Sequence, residues 1–403
     1  MTARGTALDA LRAPNFALLW TAQVISGFGD KITLFALAFV TWELTRSALS
    51  TTLAIVVSSV PYAVFGFVGG AIADALGHRR AMIACDLIRV VAVGLIPLAL
   101  AAGLPLAVSY ALVLVAALCS AVFAPARMGI VPDLVPREHL GSGNAMVYAS
   151  DRTVEIVGAV VAGFIVAALG TLAFYVDAAT FALSAALLLR ISMPEQPPRP
   201  VRWGSIWADV VEGLRFLGGN AVLRANTVFS LVAQLSLPVL NGLTPVLIFR
   251  EYGGGPEDFG VAEAALAAGA VLAGLALPGA LGRVPKGRLI IVGFASYGVA
   301  LIAIAAAPTF EIALLFFALA GVTNVLFFIP NVTLSQEITP QALRARVFGS
   351  RTAFLHLTWL PIILMTGMLA DHFSVQALVA VAGAFTFGVA VVGSFFRSVR
   401  DVP

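Results

Sequence analysis

Charge is what this sequence has least of. Only 11% of its 403 residues are charged, where a soluble globular domain carries roughly 25%. Hydrophobic residues make up 60% and mean hydropathy is +0.99, which excludes a soluble globular protein. Cysteine is nearly absent. Cys85 and Cys119 both fall inside apolar runs, which fits two small apolar side chains rather than a disulfide or a metal pair. The chain has no His/Cys cluster, no Gly-x-x-x-x-Gly-Lys-Ser/Thr phosphate loop and no Ser-His-Asp set in plausible placement. Nothing therefore points to an enzyme, a resident metal or a cofactor. Met1–Pro14 carries Asp9 and lacks an apolar core, so it is not read as a cleavable signal peptide, and the first span would itself direct insertion.

What is present is apolar sequence in membrane-length runs. A helix needs about 20 apolar residues to cross a bilayer. Twelve such runs are predicted, at 16–43, 49–72, 81–102, 107–130, 143–169, 172–190, 222–249, 259–281, 289–307, 311–334, 346–370 and 374–396. Long Ala/Leu/Val/Gly stretches exclude a β-barrel, which needs short alternating segments. The expected fold class is an all-α membrane protein. With the N-terminus in the cytoplasm, the bases between and beyond the runs fall mostly inside, among them Arg12, Arg79, Arg80, Arg137, Arg202, Lys286 and Arg344, while Lys31 lies within a helix. Only Arg46 and Arg250 lie at outer ends. Both termini are expected to be cytoplasmic. The net charge of +3 reflects this bias and implies no nucleic-acid partner.

Composition breaks at Ser192–Gly204, where four prolines stand beside Arg199 and Arg202. Ser205–Leu217 then repeats Ile206, Val210, Leu214 and Leu217 among charges, the pattern of an amphipathic helix lying on the membrane surface. The expected organisation is a first six-helix bundle over 1–190, a cytoplasmic linker over 191–221 and a second bundle over 222–403. The two sides echo each other. Ala22-Gln23 recurs as Ala233-Gln234, Gly70–Arg79 as Gly279–Arg288, and Phe123-Ala-Pro125 as Phe328-Ile-Pro330. Three anchors in the same order at nearly constant offset argue for a duplicated unit.

Gly69–Arg80, between the second and third runs, reads Gly-Gly-Ala-Ile-Ala-Asp-Ala-Leu-Gly-His-Arg-Arg. Through Gly70, Ile72, Ala73, Asp74, Gly77, Arg79 and Arg80 it resembles the signature loop of the major facilitator superfamily of transporters. Gly29-Asp30-Lys31, Phe123-Ala-Pro-Ala-Arg127, Glu212-Gly-Leu-Arg-Phe216 and Arg344-Ala-Arg-Val347 resemble its drug-exporter branch, which includes macrolide-efflux and enterobactin-exporter types. The fifth span departs from that branch, because Gly158–Gly163 contains no proline. The resemblance implies two pseudo-symmetric six-helix bundles with substrate bound between them near mid-membrane. It also implies a monomer in the bacterial inner membrane that exports small amphipathic molecules in exchange for protons. Uptake of a metabolite or movement of a lipid by the same fold stays open, as does a non-transporting sensor.

An ionisable group inside a bilayer is a functional candidate by default. Asp30 lies about 21 Å along the first span, and Gln23, Gly27 and Asp30 share one helical face. Their counterparts are Gln234, Pro238 and Asn241, so the second half brings polarity without the acid. Asp30 is expected to bind a proton or a cationic substrate group in competition, with Gln23, Gln234, Asn241, Glu155 and His356 lining the same cavity. Asp86, Arg89, Arg127, Asp151 and Arg152 are expected to form a structural charge network joining spans three, four and five. Asp177 and Glu263 read as interfacial or outer-gate residues. Gly70, Asp74, Gly77, Arg79 and Arg80 are expected to act as a cytoplasmic gate, Asp74 engaging a helix N-terminus and Arg346 of span eleven.

Overall fold

A computed structural model describes residues 7–136, 139–192, 203–277, 284–340, 343–396 and 400, with backbone alone at 7–9, 60, 62–64, 66–67, 203–210 and at most positions from 344 to 356. The chain runs through α1 (Pro14–Thr45), α2 (Ala48–Leu76), α3 (His78–Ala101), α4 (Leu106–Leu134), α5 (Leu140–Leu169) and α6 (Ala173–Leu189). After the linker come α7 (Trp203–Gly219), α8 (Ala221–Ala233), α9 (Leu237–Val246), α10 (Pro256–Ala276) and α11 (Lys286–Ala306). The last three are α12 (Phe310–Ile338), α13 (Arg344–Ala370) and α14 (Val375–Ser394). Among the described residues, nine helical stretches are long and apolar enough to cross a membrane. One of them, Leu140–Leu189, holds both α5 and α6, while Ala48–Ser59 and Leu357–Ala370 are shorter apolar helices.

The seventh apolar run is not one helix. A 3-10 turn at Gln234–Ser236 separates α8 from α9, and a π turn follows at Leu247–Glu251. Pro238 cannot donate to the preceding turn, so the break falls where the sequence places a ring. The amphipathic segment after the linker is α7, which packs beside α13.

The chain divides into two compact units. Unit 1 holds residues 1–41 and 57–202, and unit 2 holds residues 42–56 and 203–403. The short reversal from α1 into α2 groups with the second unit. Unit 1 centres on Phe16, Leu19, Met82, Phe123, Ile130 and Leu188. Its helices approach through glycine: a Cβ on Gly69 of α2 would overlap the Ala121 carbonyl of α4, and one on Gly70 would lie 3.6 Å from Pro125. Gly77, at φ 82°, supplies the left-handed turn into α3. Unit 2 repeats the device between α10 and α12, where Gly269 faces the Ala318 carbonyl and Gly321 the Leu266 carbonyl. Phe294 stacks on Phe327 at 4.1 Å and meets Phe229 edge-on at 5.6 Å.

A charge cluster in unit 1 as the candidate functional site

In unit 1 a single guanidinium gathers four helices. Arg89 of α3 is 1% exposed. It donates through Nη2 to Asp86 one turn earlier on α3, and through Nη1 to Ser120 Oγ of α4 at 3.3 Å. The same Nη1 lies 3.7 Å from Asp30 Oδ1 of α1. Phe123 of α4 and Phe181 of α6 cover its faces, with centroids 4.6 and 4.2 Å from Cζ. Asp86, also fully buried, accepts from Ser184 Oγ of α6 at 2.7 Å. The Arg89–Asp86 pair is thus desolvated and hydrogen-bonded, the condition under which a buried ion pair holds.

Asp30 differs from its neighbours. Half of its side-chain surface is open, so it forms the accessible edge of an otherwise sealed cluster. Lys31 turns elsewhere, its stem 3.5 Å from where a Cβ on Gly158 of α5 would stand. One turn beyond Asp30, Thr33 donates to Asp177 Oδ2 of α6 at 2.5 Å. Thr180 donates to Asp177 Oδ1 at 3.1 Å. A Cβ on Gly29 would overlap both Asp177 and Thr180, so the Gly29-Asp30 pair both admits α6 and presents the acid. Asp177 is fully buried. It is therefore not interfacial as one reading expected: the fifth residue of α6 points inward, toward α1.

The expected network divides into separate parts. Arg127 of α4 holds Asp151 of α5 by two parallel bonds, Nη1–Oδ1 at 2.9 Å and Nη2–Oδ2 at 3.1 Å. Arg152 pairs with Glu155 along the exposed face of α5, as their spacing predicts. Asp86 and Arg89 join neither pair. They bridge to α1, α4 and α6 because an i, i+3 pair on α3 faces the helices packed on that side. Gln23 is half-buried, and among the described residues its Oε1 has no partner.

The hinge residues also turn to local partners. His78 Nε2 lies 3.0 Å from Asp74 Oδ1, with its ring against Gly129. Arg79 donates to the Leu188 and Leu189 carbonyls at 3.0 and 2.7 Å, closing the C-terminal end of α6. Arg80 lies at the start of α3. The side chains of Arg346 and His356 lie outside the described residues, and with them the expected partner of Asp74.

In unit 2, Gln234 is buried at the 3-10 turn and Asn241 is exposed on α9. The sequence reading missed a polar cluster there. Arg351 of α13, 8% exposed, donates to Ser335 Oγ of α12 at 2.8 Å and to Asn331 Oδ1. Asn331 Nδ2 reaches Ser230 Oγ of α8 and, at 3.4 Å, Asn226 Oδ1. Among the described residues no carboxylate pairs with Arg351, and its Nε has no partner. The signal was available: Asn226 and Ser230, like Asn331 and Ser335, stand four apart in otherwise apolar runs.

Residues 5–401 match the family of transmembrane secretion effectors within the major facilitator superfamily. The chain belongs to that family. It is a multi-pass membrane transporter rather than an enzyme, of the superfamily that the Gly69–Arg80 stretch resembles and on the drug-exporter branch that Gly29-Asp30-Lys31 and Phe123–Arg127 resemble. It is 28% identical to the multidrug efflux pump Tap of Mycolicibacterium fortuitum over 403 residues, 97% of each chain. It is 24% identical to macrolide efflux protein A of Streptococcus pyogenes, over 96% of this chain and 97% of that one. Among solved structures, a peptide transporter of the POT family in complex with sulfate superposes with a TM-score of 0.71 at 12% identity, over 96% of this chain and 95% of that one. A bacterial homologue of the human lysosomal transporter Spinster superposes at 0.70 with 14% identity, over 96% and 98%. At such identities the structures attest the fold alone.

Proposed function

We propose that this transporter is a proton-driven antiporter that exports small amphipathic molecules, with Asp30 as the residue where protons and cationic substrate groups compete. The observation that carries the reading is the asymmetry of the charge cluster. Arg89 and Asp86 satisfy each other in a sealed setting, while Asp30 sits at 3.7 Å from the same guanidinium with half its surface open. A carboxylate so placed binds a proton or an organic cation without breaking the pair behind it. Two relatives named for multidrug and macrolide efflux favour export and an amphipathic cargo.

The scheme takes twelve spans, two six-helix bundles over 1–190 and 222–403 joined by the linker at 191–221, and both termini on the cytoplasmic side of a bacterial inner membrane. It takes a monomer working by alternating access, needing lipid, substrate and protons and no cofactor. Gln23, Glu155, Gln234, Asn241 and His356 line the substrate path, and the Gly70–Arg80 hinge with Arg346 closes its cytoplasmic side. The test is a substrate screen in inverted vesicles with an imposed pH gradient, comparing the protein with Asp30→Asn. Uptake into vesicles should follow the gradient and lose that dependence in Asp30→Asn. Gradient-driven transport that survives the substitution would remove Asp30 from the mechanism.

A further inference from the structure

The turn from α1 into α2 is tight and strained. Arg46 has φ 51°, the one positive-φ residue other than glycine among the described residues. Ser47 then begins α2: its Oγ accepts from Ser50 N at 3.2 Å, and its carbonyl from Thr51 N at 3.1 Å. That leaves the amides of Ala48 and Leu49 unsatisfied by their own helix. Both point to Asp371, more than 300 residues away in sequence. Ala48 N donates to Oδ1 at 2.5 Å, Leu49 N to Oδ2 at 3.4 Å, and Ser47 Oγ to Oδ2 at 2.9 Å.

Asp371 is the C-cap residue of α13. A carboxylate there faces the negative end of its own helix dipole, which is unfavourable, whereas the N-terminus of α2 offers a positive end and free amides. Its position makes sense through α2 and not through α13. The surroundings bring the two ends together. A Cβ on Gly367 would stand 3.0 Å from Thr52 Cβ and 3.1 Å from Leu49 Cα. Thr52 also lies 3.2 Å from the Cβ position of Gly242 on α9. Arg250, from the π turn after α9, donates to the Ala370 and Phe373 carbonyls at 2.6 and 3.1 Å, fixing the turn that carries Asp371.

We propose that Asp371 is a positioning residue of the transport cycle: with the N-terminus of α2 it forms a releasable latch at the end of that helix opposite the Gly69–Arg80 hinge. Residues 42–56 group with unit 2 while the rest of α1 and α2 groups with unit 1. A transport motion that parts these helix ends has to break these bonds first. They suit that use, because Asp371 is exposed and water can replace each bond as it opens. The inference needs only that the protein is a transporter and does not depend on proton coupling at Asp30.

Spin labels at Leu44→Cys and Phe373→Cys, two exposed positions beside the latch, test this in full-length protein in lipid nanodiscs. The background carries Cys85→Ala and Cys119→Ala. Double electron–electron resonance then reads the distance between the two ends with no substrate required. In Asp371→Ala the ratio of long to short distances should rise about five- to tenfold, as expected for loss of a helix cap. Asp371→Asn, which keeps one acceptor, should fall between. Ser47→Ala should shift the ratio in the native protein but add little in Asp371→Ala. A distribution unchanged in Asp371→Ala, whether or not its melting temperature falls, would make the contact a permanent strut and overturn the latch.

Discussion

Arg89 and Arg351 show what a buried guanidinium demands from its neighbours, and they answer in opposite ways. Arg89 has Asp86, Asp30, Ser120 and two aromatic faces. Removing it strands a fully buried carboxylate, so Arg89→Met should destabilise the purified protein by about 3–5 kcal/mol. Asp30→Asn, at the half-open edge, should cost less than about 1 kcal/mol. Thermal unfolding of the detergent-solubilised variants separates the two, and equal losses would mean that Asp30 is as structural as Asp86. Among the described residues Arg351 has only neutral partners, Asn331 and Ser335. Arg351→Gln keeps hydrogen bonding without the buried charge and should unfold no earlier than the native protein. Arg351→Ala, which orphans both partners, should lose about 1–3 kcal/mol.

Between residue and whole stand the helix crossings, and there glycine decides how closely backbones approach. Gly69 meets the Ala121 carbonyl and Gly269 the Ala318 carbonyl, backbone atoms with nowhere to go, whereas a Cβ on Gly274 of α10 meets nothing within 4 Å. Gly69→Ala and Gly269→Ala should therefore each cost about 1–3 kcal/mol through overpacking. Gly274→Ala should be neutral or stabilising by up to about 1 kcal/mol. Melting curves of the three variants check the contrast. These helices were legible because membrane length is written in composition. The hinge was legible because Gly77 and its bases break an apolar run. The break in the seventh run at Gln234 was foreshadowed only by Pro238. The partners of Asp86 and Arg89 were not legible: the i, i+3 spacing fixes that they pair, but which helices cover them depends on packing between distant runs. Asp371 escaped notice for the same reason, since an acid at a helix end looks interfacial until the helix end opposite is known.

At the scale of the whole molecule, charge sidedness is the strongest statement the sequence makes, and its two exceptions now have local reasons. Arg46 pairs with Glu43 at 2.9 Å and lies 5.8 Å from the Trp42 ring. Arg250 is tied to Glu251 and to the carbonyls ending α13. Neither is a loop base free to be read during insertion; each serves a helix end beside it. If the remaining bases set the orientation by their bias to one side, both termini face the cytoplasm. Green fluorescent protein fused after Pro403 should therefore fluoresce, and alkaline phosphatase fused there should be inactive. The same reporters placed after Gly253, in the turn before α10, should give the reverse. Arg250→Gln should leave both patterns unchanged while lowering the melting temperature, because the Ala370 and Phe373 carbonyls lose their donor. A reporter pattern that inverted in Arg250→Gln would show this base to be a topological signal after all, and would reopen the count of spans between Gly253 and the C-terminus.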